Sequence, residues 1–302
     1  MEIFIASHKG ELAALLTAVC WTFTSLAFES AGKKVGSLSV TLIRLVIAFV
    51  FLGIYTTFVK GYFLPSGITN HAWFWLSLSG LVGFLFGDLL LFQAFVVPGA
   101  RISMLIMSLS PPITAFFGWV ILGETLSWSN ILGMTITIWG ISLVVLSRSP
   151  NKKGMQLHYP IKGVLLAFGG AAGQGMGLVL SKFGMQNLDP FVSTQIRVIA
   201  GIIGFAILFT ITGRWKHIFT ALKDGAAMVG ITTGAFFGPF LGVSLSLLAI
   251  QYTTTGIAST LSSLTPVVII PFARVFFKEP ITTKEIVGSI IAVIGVSIFF
   301  VF

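Results

Sequence analysis

Charge is what this sequence has least of. Asp, Glu, Lys and Arg make up only 9% of its 302 residues, against about 25% in a soluble domain. A chain so poor in charge, and 56% hydrophobic, cannot clothe a water-facing surface; it belongs in a bilayer, where apolar side chains face lipid. Cysteine is nearly absent too. A single Cys20 excludes an intrachain disulfide and a thiolate metal cluster, and is expected to pack as a small apolar residue. Acids are the scarcer charge, nine against eighteen bases. The resulting excess of +9 does not point to nucleic acid, because the bases stand singly or in twos between apolar runs. That pattern fits loops meeting anionic lipid heads. His8, His71, His158 and His217 all fall outside the apolar runs, which argues against a buried Ser–His pair. Asp88 has no second intramembrane aspartate for paired-carboxylate chemistry. A Walker motif is missing, so direct ATP drive is not expected. The sequence does not read as an enzyme, and it implies no cofactor.

What is there is apolar runs. A helix needs about 20 residues to cross the hydrocarbon core, and runs of that order lie at 11–31, 37–59, 72–97, 99–123, 128–147, 162–186, 190–213, 226–251, 256–277 and 284–302. The first lacks a small-residue cleavage site and reads as a retained span. Backbone groups in lipid must bond internally, and runs without period-two alternation mean helices rather than a barrel. "TTKE" from Thr282 to Glu285 has capping-box spacing at the start of the tenth run. Ser127 to Asn130 is a weaker version of it. The polar stretch from Ser147 to Pro160 divides the chain into 1–150 and 151–302, five runs in each.

The two parts repeat. "LSPPITAFFGWVILGETLSWSNILGMTITIWGISLVVL" from Leu109 aligns without a gap, 155 residues later, on "LTPVVIIPFARVFFKEPITTKEIVGSIIAVIGVSIFFV". Pro111 meets Pro266, Glu124 meets Glu279, Gly133 meets Gly288 and Gly140 meets Gly295. Upstream, Gly83 and Gly87 meet Gly238 and Gly242, and Arg44 meets Arg197 at an offset of 153. An odd number of spans per copy makes the second copy enter from the opposite side. The expected architecture is therefore an all-α integral membrane protein of ten transmembrane helices in two inverted five-helix repeats, the arrangement that supports alternating access in secondary carriers. Of the 18 Lys and Arg, twelve fall on one side of this topology, three on the other and three inside spans. The equivalent turns "GETLSW" and "KEPITTKE" differ in Lys in the sense inversion requires. Taken alone, the count puts both termini outside.

Proline in the fourth and ninth runs, then a "GE" or "KE" turn, then "GxxxxxxG" in the next run, resembles the EamA family of the drug/metabolite transporter superfamily. The resemblance covers nearly the whole chain. It implies two five-helix inverted repeats of an EamA-like kind in a cell membrane, carrying small organic metabolites, often outward. Termini in that superfamily are often cytoplasmic, so orientation stays open between the charge count and the resemblance. This chain lacks a Pro after Glu124 and has Lys278 in place of the Gly before Glu279.

Ionisable groups inside spans cost about 2.5–3.5 kcal/mol each near the helix centre, so the few present carry information. Asp88 could bind an amine, carry a proton as coupling ion, or pair with Arg44. Arg44 and Arg197 could recognise a carboxylate, serve two alternating gates, or anchor helices through backbone carbonyls. Glu29, Lys182 and Arg274 lie near enough to helix ends to snorkel. Glycines at 169, 173 and 177, and at 230, 234, 238 and 242, mark close helix packing. Gln174 sits within the first row, and its counterpart is Trp21. Together they suggest a polar tip and an aromatic wall for a central cavity. Pro111 and Pro266 are expected to kink their helices in mid-span and free carbonyls. Gln93, Gln251 and Tyr252 are secondary candidates for the cavity, the latter two near the membrane interface. The function expected is a secondary transporter of a small organic molecule, an amino acid or related compound, working by export. A passive channel or facilitator is the alternative, and oligomeric state is left open.

Overall fold

A computed structural model of the chain describes residues 7–96, 103, 106–147, 161–277 and 282–301. Lys278, Glu279 and most of the dividing stretch lie outside the described residues, as do the side chains of Glu29 and Arg274. The described residues form helices: α1 (Lys9–Val35), α2 (Ser37–Lys60), α3 (Asn70–Gly80, a π-helical segment Leu81–Gly87, then Asp88–Val96), α4 (Ser110–Leu122), α5 (Trp128–Ser147), α6 (Ile161–Met185), α7 (Pro190–Thr212), the short α8 (Trp215–Ala221), α9 (Gly225–Ala235, a π-helical segment Phe236–Gly242, then Val243–Tyr252), α10 (Thr255–Ser262 and Thr265–Phe277) and α11 (Thr283–Val301). Among the described residues nine of these are long and apolar enough to cross a membrane, and α4 is a shorter apolar helix. The outer surface is apolar, with Phe58 86% and Trp128 85% exposed.

Local chemistry sets the helix ends. α1 runs past Lys33 and Lys34 to Val35. There Gly36, at φ +81°, supplies the one-residue turn into α2 that a side chain would resist. Asp189 caps α7, its Oδ1 accepting from the Phe191 N–H at 2.9 Å, and Pro190 fills the first helical position, where no N–H is needed. The capping box before α11 is reciprocal: the Thr282 N–H donates to Glu285 Oε2 at 2.7 Å, and the Glu285 N–H to Thr282 Oγ1 at 3.3 Å. At the weaker site only the Asn130 N–H bonds back to Ser127 Oγ, at 3.2 Å. The helix α8 in the "GRWKH" connection was not expected.

The halves are duplicated, and their packing keeps the correspondence α1/α6, α2/α7, α3/α9, α4/α10, α5/α11. α1 packs on α9 as α6 packs on α3; α10 packs on α1 as α4 packs on α6; α2 packs on its own twin α7, and α5 on its own twin α11. Glycines make these crossings close. A side-chain carbon on Gly177 would lie 2.9 Å from Gly83 Cα, and one on Gly173 would lie 2.9 Å from Gly87 Cα. In the other half Thr24 fills the place against Gly238 and Cys20 the place against Gly242. Between α5 and α11, Gly133 faces the carbonyl of Gly295, and Gly140 faces that of Gly288. Exchange of the halves turns one of these contacts into the other.

Two features depart from the sequence reading. Pro111 and Pro266 do not kink continuous helices. Each sits in the first turn of a helix that starts after a break, at Leu109 and Leu264. The Leu109 N–H reaches back to the Ile106 carbonyl at 3.0 Å, and the Leu264 N–H to the Leu261 carbonyl at 3.2 Å. That tighter three-residue step ends one helix, and the proline is then preorganised to open the next. The second departure is the pair of π-helical segments. Leu81–Gly87 and Phe236–Gly242 lie 155 residues apart, so both halves widen the same helix at the same depth.

Candidate functional site

The π-helical segment of α3 is where the polar candidates gather. Directly after it, Asp88 begins a new α-helical stretch and forms an ion pair with Arg44 of α2. Both residues are 7% exposed. Gln174 of α6 donates from one Nε2 to Asp88 Oδ1 at 3.0 Å and to the Gly83 carbonyl at 3.3 Å. α6 comes near enough for this because Gly83, Gly87, Gly173 and Gly177 carry no side chains at the crossing. The Arg44 guanidinium also lies 5.3 Å from the Phe28 ring centre of α1, while its Nε has no hydrogen-bond partner. Three helices thus meet around one carboxylate, and a fourth, α1, reaches its arginine partner through Phe28. Pairing with Arg44 was one of three readings open for Asp88, and it is the one observed.

Arg197 has the same place on α7 but other surroundings. It is 5% exposed, and its guanidinium lies 4.9 Å from the Phe84 ring centre, beside Gly83. Among the described residues it makes no ion pair or hydrogen bond, and its Nε is buried without a partner. The backbone-carbonyl anchoring considered for both arginines is seen for neither. The position equivalent to Asp88 in the second half is Val243. A cation–π contact is worth about 0.5–2 kcal/mol, whereas the net cost of burying an unpaired ion is several kcal/mol. The ring does not cover the charge.

Trp21 is half-buried, and its indole nitrogen faces Gly242 as the Gln174 amide faces Gly87. The two therefore occupy matched places, though the position equivalent to Asp88 is Val243. Pro111 is buried and Pro266 half-buried, each at its helix break. Gln93 stands apart from this cluster and is exposed. Gln251 donates to the Leu188 carbonyl at 2.8 Å, joining α9 to the turn before α7. Tyr252 is 58% exposed.

A second polar group closes the end of the bundle where α1 begins. Lys182 does not snorkel. Its Nζ lies 2.7 Å from Glu124 Oε1, a charge contact more than a directed hydrogen bond, and donates to the Thr253 carbonyl at 2.7 Å. Glu124 Oε2 accepts from the Thr255 N–H at 2.8 Å and from Thr255 Oγ1 at 2.6 Å, capping α10 from the opposite half. Lys60 and Asp189 pair at 3.2 Å at the same end. The sequence reading treated Glu124 only as a motif marker and missed this clamp. The available signal was that the counterpart of Lys182 is Glu29, a charge reversal between copies.

The EamA-like transporter family matches the chain twice, over residues 8–146 and 161–301. The chain belongs to the EamA-like transporter family. It is a multi-pass integral membrane protein of a transporter family, not an enzyme. It is 21% identical over 293 residues to an uncharacterized transporter of Archaeoglobus fulgidus, covering 94% of this chain and 95% of that one. It is 24% identical over 194 residues to the uncharacterized transporter YvbV of Bacillus subtilis, covering 63% of this chain and 60% of YvbV. To human solute carrier family 35 member G1 it is 26% identical over 226 residues, 72% of this chain and 60% of that protein. The matches thus span only 60% of the length of YvbV and of the human carrier. A solved crystal structure shares the fold at TM-score 0.75 and 16% identity, covering 96% of both chains.

Proposed function

We propose that this EamA-family protein is a secondary carrier of a small organic metabolite, built from ten spans in two inverted five-helix repeats and working by alternating access in the cell membrane. The observation that carries this reading is the closure of the packing pattern under exchange of the halves. α1–α9 becomes α6–α3, and α2–α7 and α5–α11 map onto themselves. With five spans in a half, such an exchange reverses the two faces of the membrane, so a conformation closed at one face implies a related one closed at the other. The Glu124–Lys182 clamp then belongs to the state closed at the face where α1 begins. The carried solute enters between the halves around Asp88, Gln174 and Trp21. The breaks at Leu109 and Leu264 supply the unwound backbone that carriers of this kind place near mid-membrane.

Two experiments test it. In a Cys20→Ala background, Thr125→Cys and Pro280→Cys occupy equivalent turns of the two copies. A membrane-impermeant maleimide should reach them from opposite sides of oriented vesicles, and labelling from the same side ends the inverted reading. Reconstituted protein should also show counterflow, transient accumulation of external labelled metabolite driven by internal unlabelled metabolite. Simple equilibration would favour a passive facilitator.

A further inference from the structure

Arg197 stands out as a charge the fold does not use. Arg44, its repeat counterpart, is neutralised by Asp88, and Asp88 is held in turn by Gln174. Val243 occupies the position that would give Arg197 the same partner, so the buried cluster around the α3 π-helical segment carries one cation too many. Gly83, beside the guanidinium, presents no side chain; a carbon added to it would lie 3.3 Å from Arg197 Nη2. The Nε–H is unpaired and buried. On a planar guanidinium, Nε and a neighbouring terminal nitrogen form an edge whose two N–H groups match a carboxylate.

We infer that Arg197 is the anion-binding residue of the carrier and that the transported solute is a carboxylate whose charge completes the cluster. This rests on the carrier reading above and names the substrate class for it. The solute carboxylate lies along the free edge of Arg197, over Phe84 and beside Gly83, and takes the part that Asp88 plays for Arg44. Arg44 remains structural, since its charge is already balanced. An empty site then holds an uncompensated cation, and the loaded one is neutral.

The test uses the full-length protein, purified in detergent and reconstituted in liposomes, with a panel of small carboxylic acids and their matched primary amides. Carboxylates should raise the melting temperature and undergo counterflow, and the amides should do neither. Arg197→Gln should weaken the carboxylate response about tenfold or more, as loss of a charge-assisted hydrogen bond implies, and Arg197→Lys should restore part of it. Without solute, Arg197→Gln should melt no lower than wild type, because it removes a charge that lacks a partner. Val243→Asp should melt at or above wild type and yet lose the carboxylate response, because it supplies an internal counter-charge. Equal responses to acids and amides, or an Arg197→Gln protein that responds like wild type, would overturn the inference and leave the carrier reading intact. Carboxylate-dependent stabilisation without counterflow of any solute would sustain the anion site and count against the carrier.

Discussion

The two halves of this molecule share their architecture and differ in their charges. Both widen the third helix of the copy through a π-helical segment, at Leu81–Gly87 and Phe236–Gly242. Both break the fourth, at Leu109 and Leu264, one residue ahead of the turn that carries the proline. Yet Asp88 stands opposite Val243, Lys182 opposite Glu29, Lys60 opposite Gly213 and Asp189 opposite Gly36. Backbone geometry has been kept twice because the packing pattern needs both copies. Arg44 and Glu124 recur as Arg197 and Glu279, but the charges that pair with them, Asp88 and Lys182, do not. The ion pairs at the face where α1 begins cannot be reproduced at the other face, because Lys182 and Glu124 have counterparts of like sign, Glu29 and Glu279. In the alternating-access carrier proposed above, the two closures are therefore held by different chemistry, and their energies need not match.

Four changes would break or sharpen this comparison. The largest effect belongs to the pair that exists in one half only. Arg44→Met or Asp88→Leu alone should cost about 3–5 kcal/mol, since each strands a buried ion, while the double variant should recover most of that loss. Melting curves in detergent would show it, and equal loss in single and double variants would mean that the ion pair is not the relevant unit. Next come positions that the halves share. Gly140→Val and its twin Gly295→Val intrude on the same self-matched crossing and should each cost about 1–3 kcal/mol, with similar melting shifts. A large inequality between them would contradict the exchange symmetry. Third is the clamp. With Ser259→Cys as reporter, about one turn beyond Thr255, Lys182→Met should raise maleimide labelling about tenfold, the factor that loss of one charged hydrogen bond implies. Unchanged labelling would remove the clamp from the closure. Smallest is Lys60–Asp189, whose lysine side chain is 37% exposed. Lys60→Met should change stability by less than about 1 kcal/mol, and the effect should fade as salt is raised.

Much of this could be read from the chain. Helix extents are legible because lipid demands long apolar runs, and the polar breaks at Lys60–Gly61, Asp189–Pro190 and Ser127 fall where the helices end or begin. The repeat was legible in paired Pro and Gly positions, and so was the occupancy of equivalent sites by Trp21 and Gln174. The π-helical segments were not, since one extra residue in a turn leaves hydrophobicity unchanged; Pro239 and the paired glycines were the only local hints. The prolines were located correctly and assigned the wrong geometry. Proline suits the first turn of a helix as well as it marks a kink, and only the backbone distinguishes the two. Gln93 was a secondary cavity candidate, but helical phase leaves it exposed. The clamp was missed because Glu124 and Lys182 lie in different halves, and nothing local announces a contact over such a separation.

The glycine contact between α5 and α11 bears on how such a chain could arise. Gly133 against Gly295 and Gly140 against Gly288 are one contact seen from its two ends. Two separate, identical five-helix chains could make the same seam as an isologous dimer, because the surface fits its own copy. Within one chain the same packing requirement holds, but each copy can mutate alone. An aspartate at position 88 without one at 243 is a difference that no homodimer encoded by a single gene could carry.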